Sequence, residues 1–595
     1  MRTYTAPLRD MSFVIDEWLG APSDWASMPK FSELDAGTAA QVLEEAARFA
    51  RGRLAPLNAS GDLEGARFSD GAVRMPEGFA AAYRDYAAGG WPGLAAEPEE
   101  GGQGLPQLLN VAWIEMLAAA NHAWLMSPGL SHGAAECLRE HGSPWLKAQY
   151  LDKLVSGECL SSMCLTEAQA GSDLGLIAAK AVPADTRQEA EPAYRITGTK
   201  IFITGGDHDL TPNIVHLVLA RLPDAPAGSR GLSLFLVPKR RESAAQPEMN
   251  AVTCQGIEKK MGPKASPTCT MQFDGALGWM VGQPHRGLQA MFVMMNAARL
   301  QVAMQGLGHA ESATQCAIAY AADRRQSRAV GSAAHAGQPS RADAIILLPA
   351  IRRALLDLHC VAEGARMVGY WLAHCLDLAA AAPESGRREE AALLASLLTP
   401  VAKASFTEAG FQSASKAMQV LGGYGYMHEF GVEQTLRDSR VSMIYEGTNE
   451  VQAVDFVVRK TIADSGKGLN RLLDVVRKEA EAATCDETRR VAQQLLRLCD
   501  QTAAAAAALI AESEPDPELS YRVAGDFLAM VDILLHTFAW ARAFRIARPL
   551  ADSPFYARKC ETARYFFAYR LGDFDYRRSL VERGRANVLP HVNPA

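Results

Sequence analysis

Between Ala39 and about Ser156 the apolar residues recur at helical spacing, as in AAQVLEEAARFARGRLAP and NVAWIEMLAAANHAWL, and Gly- and Pro-rich stretches such as WPGLAAEPEEGGQGLP break the pattern. The spacing predicts an α-helical first domain. From Cys159 to Val281 the pattern shortens to strand-length runs, AYRITGTKIFIT, NIVHLVLARL, GLSLFLVPK and TCTMQFDG, each bounded by Gly, Pro, Asp or Asn. These predict a compact β domain. Within it, ITGTKIFITGG reads as a hairpin turning at Gly198, whose alternation puts Phe202 and Thr204 on one face.

Helical spacing returns from Gly287 to about Lys460, interrupted by the polar loop 331–341 and the turn LGGYGY, and a further helical region runs from Gly466 to about Ala568. The alanine run at 503–508 is a strong helix former. The predicted architecture is mainly α with a central β domain. It comprises an N-terminal extension (1–38), a helical domain (39–158), a middle β domain (159–281), a second helical domain (282–463) and a C-terminal helical extension (464–595). The extension's periodic apolar positions, Leu472, Val475 and Val476, or Phe527, Val531, Leu534 and Leu535, require cover, so its helices should dock on the rest of the chain.

Composition narrows the function. With 595 residues, 48% of them hydrophobic, the chain has material for several cored domains. A net charge of -7, from 67 acids against 60 bases, gives no general attraction to nucleic acid or anionic membranes, and neither is an expected partner. No stretch reads as a signal peptide or a membrane span, so the cytoplasm is the expected compartment. The eleven cysteines are scattered with no C-x-x-C pair, which argues against a disulfide framework and a zinc site; no metal is expected.

Three segments carry candidate chemistry. CLTEAQAGSDLG (Cys164 to Gly175) falls where helices give way to strands, ITGTKIFITGG spans Ile196 to Gly206, and MQVLGGYGYMHEFGVEQTLRDSRVSMIYEGTNEVQ spans Met418 to Gln452. Alone, the first is a surface turn and the second an ordinary strand. Their order and spacing, and above all the ending IYEGTNEVQ, resemble the acyl-CoA dehydrogenase family over roughly residues 40–460. The resemblance implies a helical domain, a β-barrel-like domain and a helical bundle, here with an additional C-terminal helical domain.

It also implies FAD and an acyl-CoA substrate. Glu446 would be the base that removes the α-proton, a task for a carboxylate in an apolar pocket that raises its pKa. FAD contacts are implied for Met163, Cys164, Leu165, Thr166 and Ser172, for Phe202 (where the family usually has Trp), Ile203 and Thr204, and for Gly447, Thr448 and Asn449 after the base. Ser172, Asn296 and Arg299 would meet the acyl-CoA, although Arg299 could equally be a structural ion-pair partner. Ala298 stands where some members carry the base and cannot accept a proton. Arg324 and Gln326, with the backbone from Gln419 through Gly422 and Gly423, would reach the FAD of a neighbouring subunit, while a basic helix end is the alternative reading of Arg324. Ser327 and Arg328 replace the family's Phe-Gly there, which leaves the loop path after Gln326 open.

The added length is similar to that of a long, dimeric bacterial branch, which includes broad fatty acyl-CoA dehydrogenases and 3-methylmercaptopropionyl-CoA dehydrogenases. The expected activity is the α,β-dehydrogenation of a medium- to long-chain acyl-CoA to the trans-2-enoyl-CoA in fatty acid β-oxidation. Electron-transferring flavoprotein is the expected acceptor and a homodimer the expected assembly. The 3-methylmercaptopropionyl thioester as substrate and an oxidase passing electrons to oxygen are the alternatives.

Overall fold

A computed structural model describes residues 4–185, 191–241, 248–330 and 342–590. The predicted polar loop 331–341 lies outside the described residues. The chain forms two compact units, one of Arg48–Leu105 and Met116–Gln301, the other of Met1–Ala47, Pro106–Glu115 and Val302–Ala595.

The first unit is built on a seven-stranded sheet. Strand Ala193–Thr204 pairs antiparallel with Thr268–Val281, and Leu232–Pro238 pairs with both Thr268–Val281 and Asn213–Arg221. With Lys180–Pro183 bridging Ala193–Thr204 to Asn213–Arg221, five strands close into a ring, the barrel-like domain expected. Leu234, Phe235, Leu236, Val237, Ile196 and Phe273 pack in its core. Cys159–Cys164 adds a parallel strand beside Asn213–Arg221 at one end of the sheet path, and every residue in it is buried.

The predicted hairpin at Gly198 does not form. Ala193–Thr204 runs as one strand, and Gly198 sits inside it because a Cβ there would lie 2.7 Å from that of Ala179. The irregularity falls later. Lys200 pairs with Met271 and Ile203 with Cys269, so the strand carries one extra residue at 201–202, a β-bulge where Phe202 has a φ of 58°. The bulge breaks the alternation. Lys200 and Ile203 turn inward, while Phe202, 60% exposed, and the partly exposed Thr204 stay on the outer face.

In the second unit the long helices Pro349–Ala381 and Ser385–Leu421 pack against one another, and Gly287–Asp323 approaches the latter closely at Gly306 and Gly410. A Cβ on Gly306 would fall 2.3 Å from the Phe406 carbonyl oxygen. A buried network joins Arg366 to Glu115 (2.6 Å) and Glu311 (2.7 Å), with the Tyr370 hydroxyl donating to Glu115.

The C-terminal helices, Lys467–Glu481, Asp486–Glu512, Leu519–Ala547, Pro554–Tyr569 and Gly572–Ala586, belong to this unit; the last lies beyond the predicted end near Ala568. Leu472, Val476, Phe527, Val531, Leu534 and Leu535 are buried. Trp540 Nε1 donates to the Cys360 carbonyl at 3.2 Å, and Lys559 pairs with Glu363 and Asp10. The N-terminal segment joins the same core. Trp18 Nε1 donates to the Ala539 carbonyl at 3.1 Å, and the Phe13 and Phe555 rings meet edge to face. By length and composition Leu519–Leu550 is apolar enough to cross a membrane, which corrects the sequence expectation that no stretch is. Its most apolar window is 67% buried within the protein, so packing accounts for its composition.

Candidate active site

In the sheet-bearing unit the first two motif segments come together around Lys200. This lysine is fully buried; its Nζ donates to the Leu165 carbonyl (2.9 Å) and to Glu167 (2.8 Å), while the backbone N–H of Ile201 donates to the Thr166 carbonyl (2.9 Å). Leu165 and Thr166 are thereby fixed beside the bulge that exposes Phe202. Burial holds the Lys200 ammonium below its ordinary pKa despite Glu167. Burial also works against the Glu167 carboxylate, yet Lys200 and the N–H groups of Ala178 and Ala179 outweigh it and keep the group below the usual carboxylate range.

Met163 and Cys164 have buried side chains, so only their backbone is available to a ligand. The Ser161 N–H donates to the Ser131 hydroxyl, away from the ladder, and strand alternation aims the Met163 N–H the same way. Ile203 is likewise buried, between the outward Phe202 and Thr204. Ser172 lies exposed in the loop beyond. On Gly287–Asp323 the buried Arg299 reaches the exposed Asn296 one turn back, at 3.4 Å, and Ala298 is buried.

In the other unit, Arg324, Gln326, Gly422 and Gly423 line one cavity of about 510 Å³, together with Tyr320 and Tyr424. Arg324 follows the end of helix Gly287–Asp323, with its guanidinium carbon 5.4 Å from the Tyr424 ring centre. Gln419 is exposed just before the lining residues Val420 and Leu421. Of the loop after Gln326, the described residues show its two ends. The chain turns at Ser327, φ 63°, and pairs back through Gln326 N–H to the Asp343 carbonyl and Asp343 N–H to the Ser327 carbonyl, each 2.9 Å. A Cβ on Gly422 or Gly423 would meet nothing within 4 Å, so the backbone is open to close approach. A guanidinium, an amide, two aromatic rings and bare backbone in one concavity fit a dinucleotide such as FAD.

Glu446 stands in the same unit, in a tight turn between the 3-10 helix Val441–Met443 and helix Asn449–Val454. Two consecutive left-handed residues make the turn, Glu446 at φ 56° and Gly447 at φ 86°. Thr448 caps the following helix, its hydroxyl accepting the Val451 N–H at 3.3 Å. On the other side the Tyr445 hydroxyl donates to Gln305 Oε1 at 2.5 Å, and burial, then the Glu446 carboxylate, push that phenol well above its usual pKa. The carboxylate-bearing residue is partly exposed, and its neighbours are anchored.

Lys200, Glu167, Gln305 and Tyr445 were not singled out from the sequence. Lys200 carried a readable signal, a lone lysine within a strand-like run, but simple alternation assigns it to the outer face with Phe202.

Four segments of the chain match acyl-CoA dehydrogenase domains: the N-terminal domain at 38–158, the middle domain at 162–276, the C-terminal domain at 285–460 and an acetyl-CoA dehydrogenase C-terminal-like domain at 472–590. The chain belongs to the acyl-CoA dehydrogenase family and is an FAD-dependent oxidoreductase acting on a CH–CH bond. It is similar to the 3-methylmercaptopropionyl-CoA dehydrogenase of Ruegeria pomeroyi, 40% identical over 578 residues, 95% of each chain. It also resembles a broad-specificity linear acyl-CoA dehydrogenase of Mycobacterium tuberculosis, 33% identical over 79% of this chain and 77% of the other. The fold matches that of Caenorhabditis elegans ACDH-11, crystallised with C11-CoA, with a TM-score of 0.79 at 21% identity over 98% of this chain and 94% of that one.

Proposed function

We propose that Glu446 is the base that takes the α-proton of a medium- to long-chain linear acyl-CoA, that electron-transferring flavoprotein accepts the electrons, and that the enzyme acts as a cytoplasmic homodimer. The observation that carries the assignment is the turn at Glu446, where a carboxylate is displayed from a strained backbone whose flanking residues are tied down. FAD, when bound, supplies the acceptor for the β-hydride. Leu165 and Thr166, held by Lys200 and Ile201, together with Phe202 and Thr204, would hold its ring system. Arg324, Gln326 and the Gly422–Gly423 backbone would receive the nucleotide part from a second subunit. Exposed Tyr426 and Met427 beside that cavity suit such a partner surface, and eleven free cysteines suit a reducing compartment. Proton removal needs the thioester to acidify the α-carbon and a carboxylate held in one orientation; Glu446 supplies the second.

Glu446→Gln keeps the side-chain shape but removes the proton acceptor. FAD should remain bound while substrate-dependent bleaching, followed by stopped-flow absorbance, falls by several orders of magnitude. Reduction at near wild-type rate would assign the base elsewhere. The 40% identity to the Ruegeria enzyme favours a second substrate, 3-methylmercaptopropionyl-CoA. A panel of acyl-CoA thioesters read by flavin bleaching decides between them, and reoxidation by electron-transferring flavoprotein rather than by oxygen separates dehydrogenase from oxidase.

A further inference from the structure

Behind the Glu446 turn lies a buried cation outside the three motif segments. Lys403, on helix Ser385–Leu421, is 0% exposed, and its Nζ donates to the Gly447 carbonyl at 2.7 Å and to Asn449 Oδ1 at 3.2 Å. Thr407, one turn further, donates to the same Asn449 oxygen at 3.1 Å, and Asn449 Nδ2 returns a hydrogen bond to the Ala404 carbonyl at 3.1 Å. Gln452, also fully buried, donates from Nε2 to the Glu446 carbonyl at 3.0 Å.

The consequence is geometric. The paired left-handed residues turn the carbonyls of Glu446 and Gly447 onto Gln452 and Lys403, which fixes the backbone from which the Glu446 side chain projects. A non-glycine residue leaves the left-handed region unless its surroundings hold it there. Burying an ammonium carries a desolvation cost, which short charge-assisted bonds to these oxygens offset. Lys403 also lies close enough to Glu450 for its charge to help hold that carboxyl below the usual range, after the local backbone N–H and Thr448.

We infer that Lys403 is a positioning residue for Glu446: through the Gly447 carbonyl and Asn449 it locks the turn that orients the carboxylate. The inference rests on the reading of Glu446 as the base. Lys403→Met keeps the stem and removes the donors, and Lys403→Gln restores a neutral donor.

The probe is a 3-thia-acyl-CoA, whose β-position is sulfur and cannot release a hydride, so that exchange of its α-protons with D2O reports proton removal alone. In FAD-loaded Lys403→Met, exchange should slow at least 30-fold while affinity for the probe and flavin content stay within about threefold of wild type, and Lys403→Gln should recover part of the loss. A lysine serving only stability would lower melting temperature and flavin content without separating exchange from affinity. Exchange at the wild-type rate in a flavin-loaded variant overturns the inference and leaves the base assignment standing. If Lys403→Met does not fold, Lys403→Gln takes its place, with a smaller slowing expected and unchanged exchange overturning the inference. Glu446→Gln is the control: exchange that survives in it sinks the base assignment itself.

Discussion

Phe202 and Glu446 share an uncommon property. Among the described residues, six non-glycine positions have a left-handed φ; two of them, Phe202 and Glu446, lie in the segments assigned to the chemistry, and a third, Ser327, directly follows Gln326. Such conformations cost on the order of 1 kcal/mol each and persist where function outweighs stability. Phe202 offers a direct test because its exposed ring contributes little burial. Phe202→Gly relieves the strained φ and should leave the melting temperature of the apo-protein unchanged or slightly raised, while purified flavin content falls. A clear loss of apo-protein stability would make Phe202 a core residue. The sequence marked Phe202 and Glu446 through their motifs but not Lys200 or Lys403, whose roles depend on a bulge and on a helix face that no local pattern encodes.

Strands and helices were legible wherever burial follows one period. The ring of strands and the long helices of the second unit appear where apolar spacing places them. Gly572–Ala586 escaped because its sequence, GDFDYRRSLVERGRA, is charge-rich and buries only Phe574 and Val581, too few to show a stripe. Gly198 misled because a glycine in a strand marks either a turn or a close approach, and only the position of Ala179 decides. Among the buried imidazoles of the sheet unit, His208 and His216 are brought down to about 3, by burial first and then by the charge of Lys239. Both are therefore neutral in the fold at neutral pH but take up a proton on unfolding below pH about 6.5. The stability they contribute is complete above that value and is lost as pH falls from about 6.5 towards 3. Between pH 7 and pH 5 each should cost roughly 2 kcal/mol. His208→Asn retains an acceptor for the Leu210 N–H, which His208 Nδ1 accepts at 3.3 Å, and should flatten the pH dependence of the denaturant midpoint by about half of the two-histidine effect. An unaltered slope would show that His208 titrates alike in both states.

For the molecule as a whole, the C-terminal helices are part of the core that carries Glu446. Their buried faces, the Trp540 and Lys559 contacts and the N-terminal segment packed on Leu519–Ala547 form one body within the second unit. At roughly 25 cal/mol per Å² of apolar surface, uncovering it would exceed the ~5 to 15 kcal/mol that separates folded from unfolded. A chain cut before Asp464, with every assigned site residue retained, should be aggregated or flavin-poor when purified. A soluble, yellow, fully active product would make 465–595 a separable module.

The hydrogen bond from Trp18 to Ala539 spans 521 positions of sequence. A ribosome adding roughly 5 to 20 residues per second needs about half a minute to nearly two minutes to travel that distance. Throughout that interval Phe13, Val14, Ile15 and Trp18, all buried in the finished protein, wait outside the ribosome without their native cover. Cover for this segment therefore arrives only after residue 539 has been made, and the yield of soluble enzyme in a cell should depend on how well chaperones shield the N-terminal segment until helix Leu519–Ala547 reaches it.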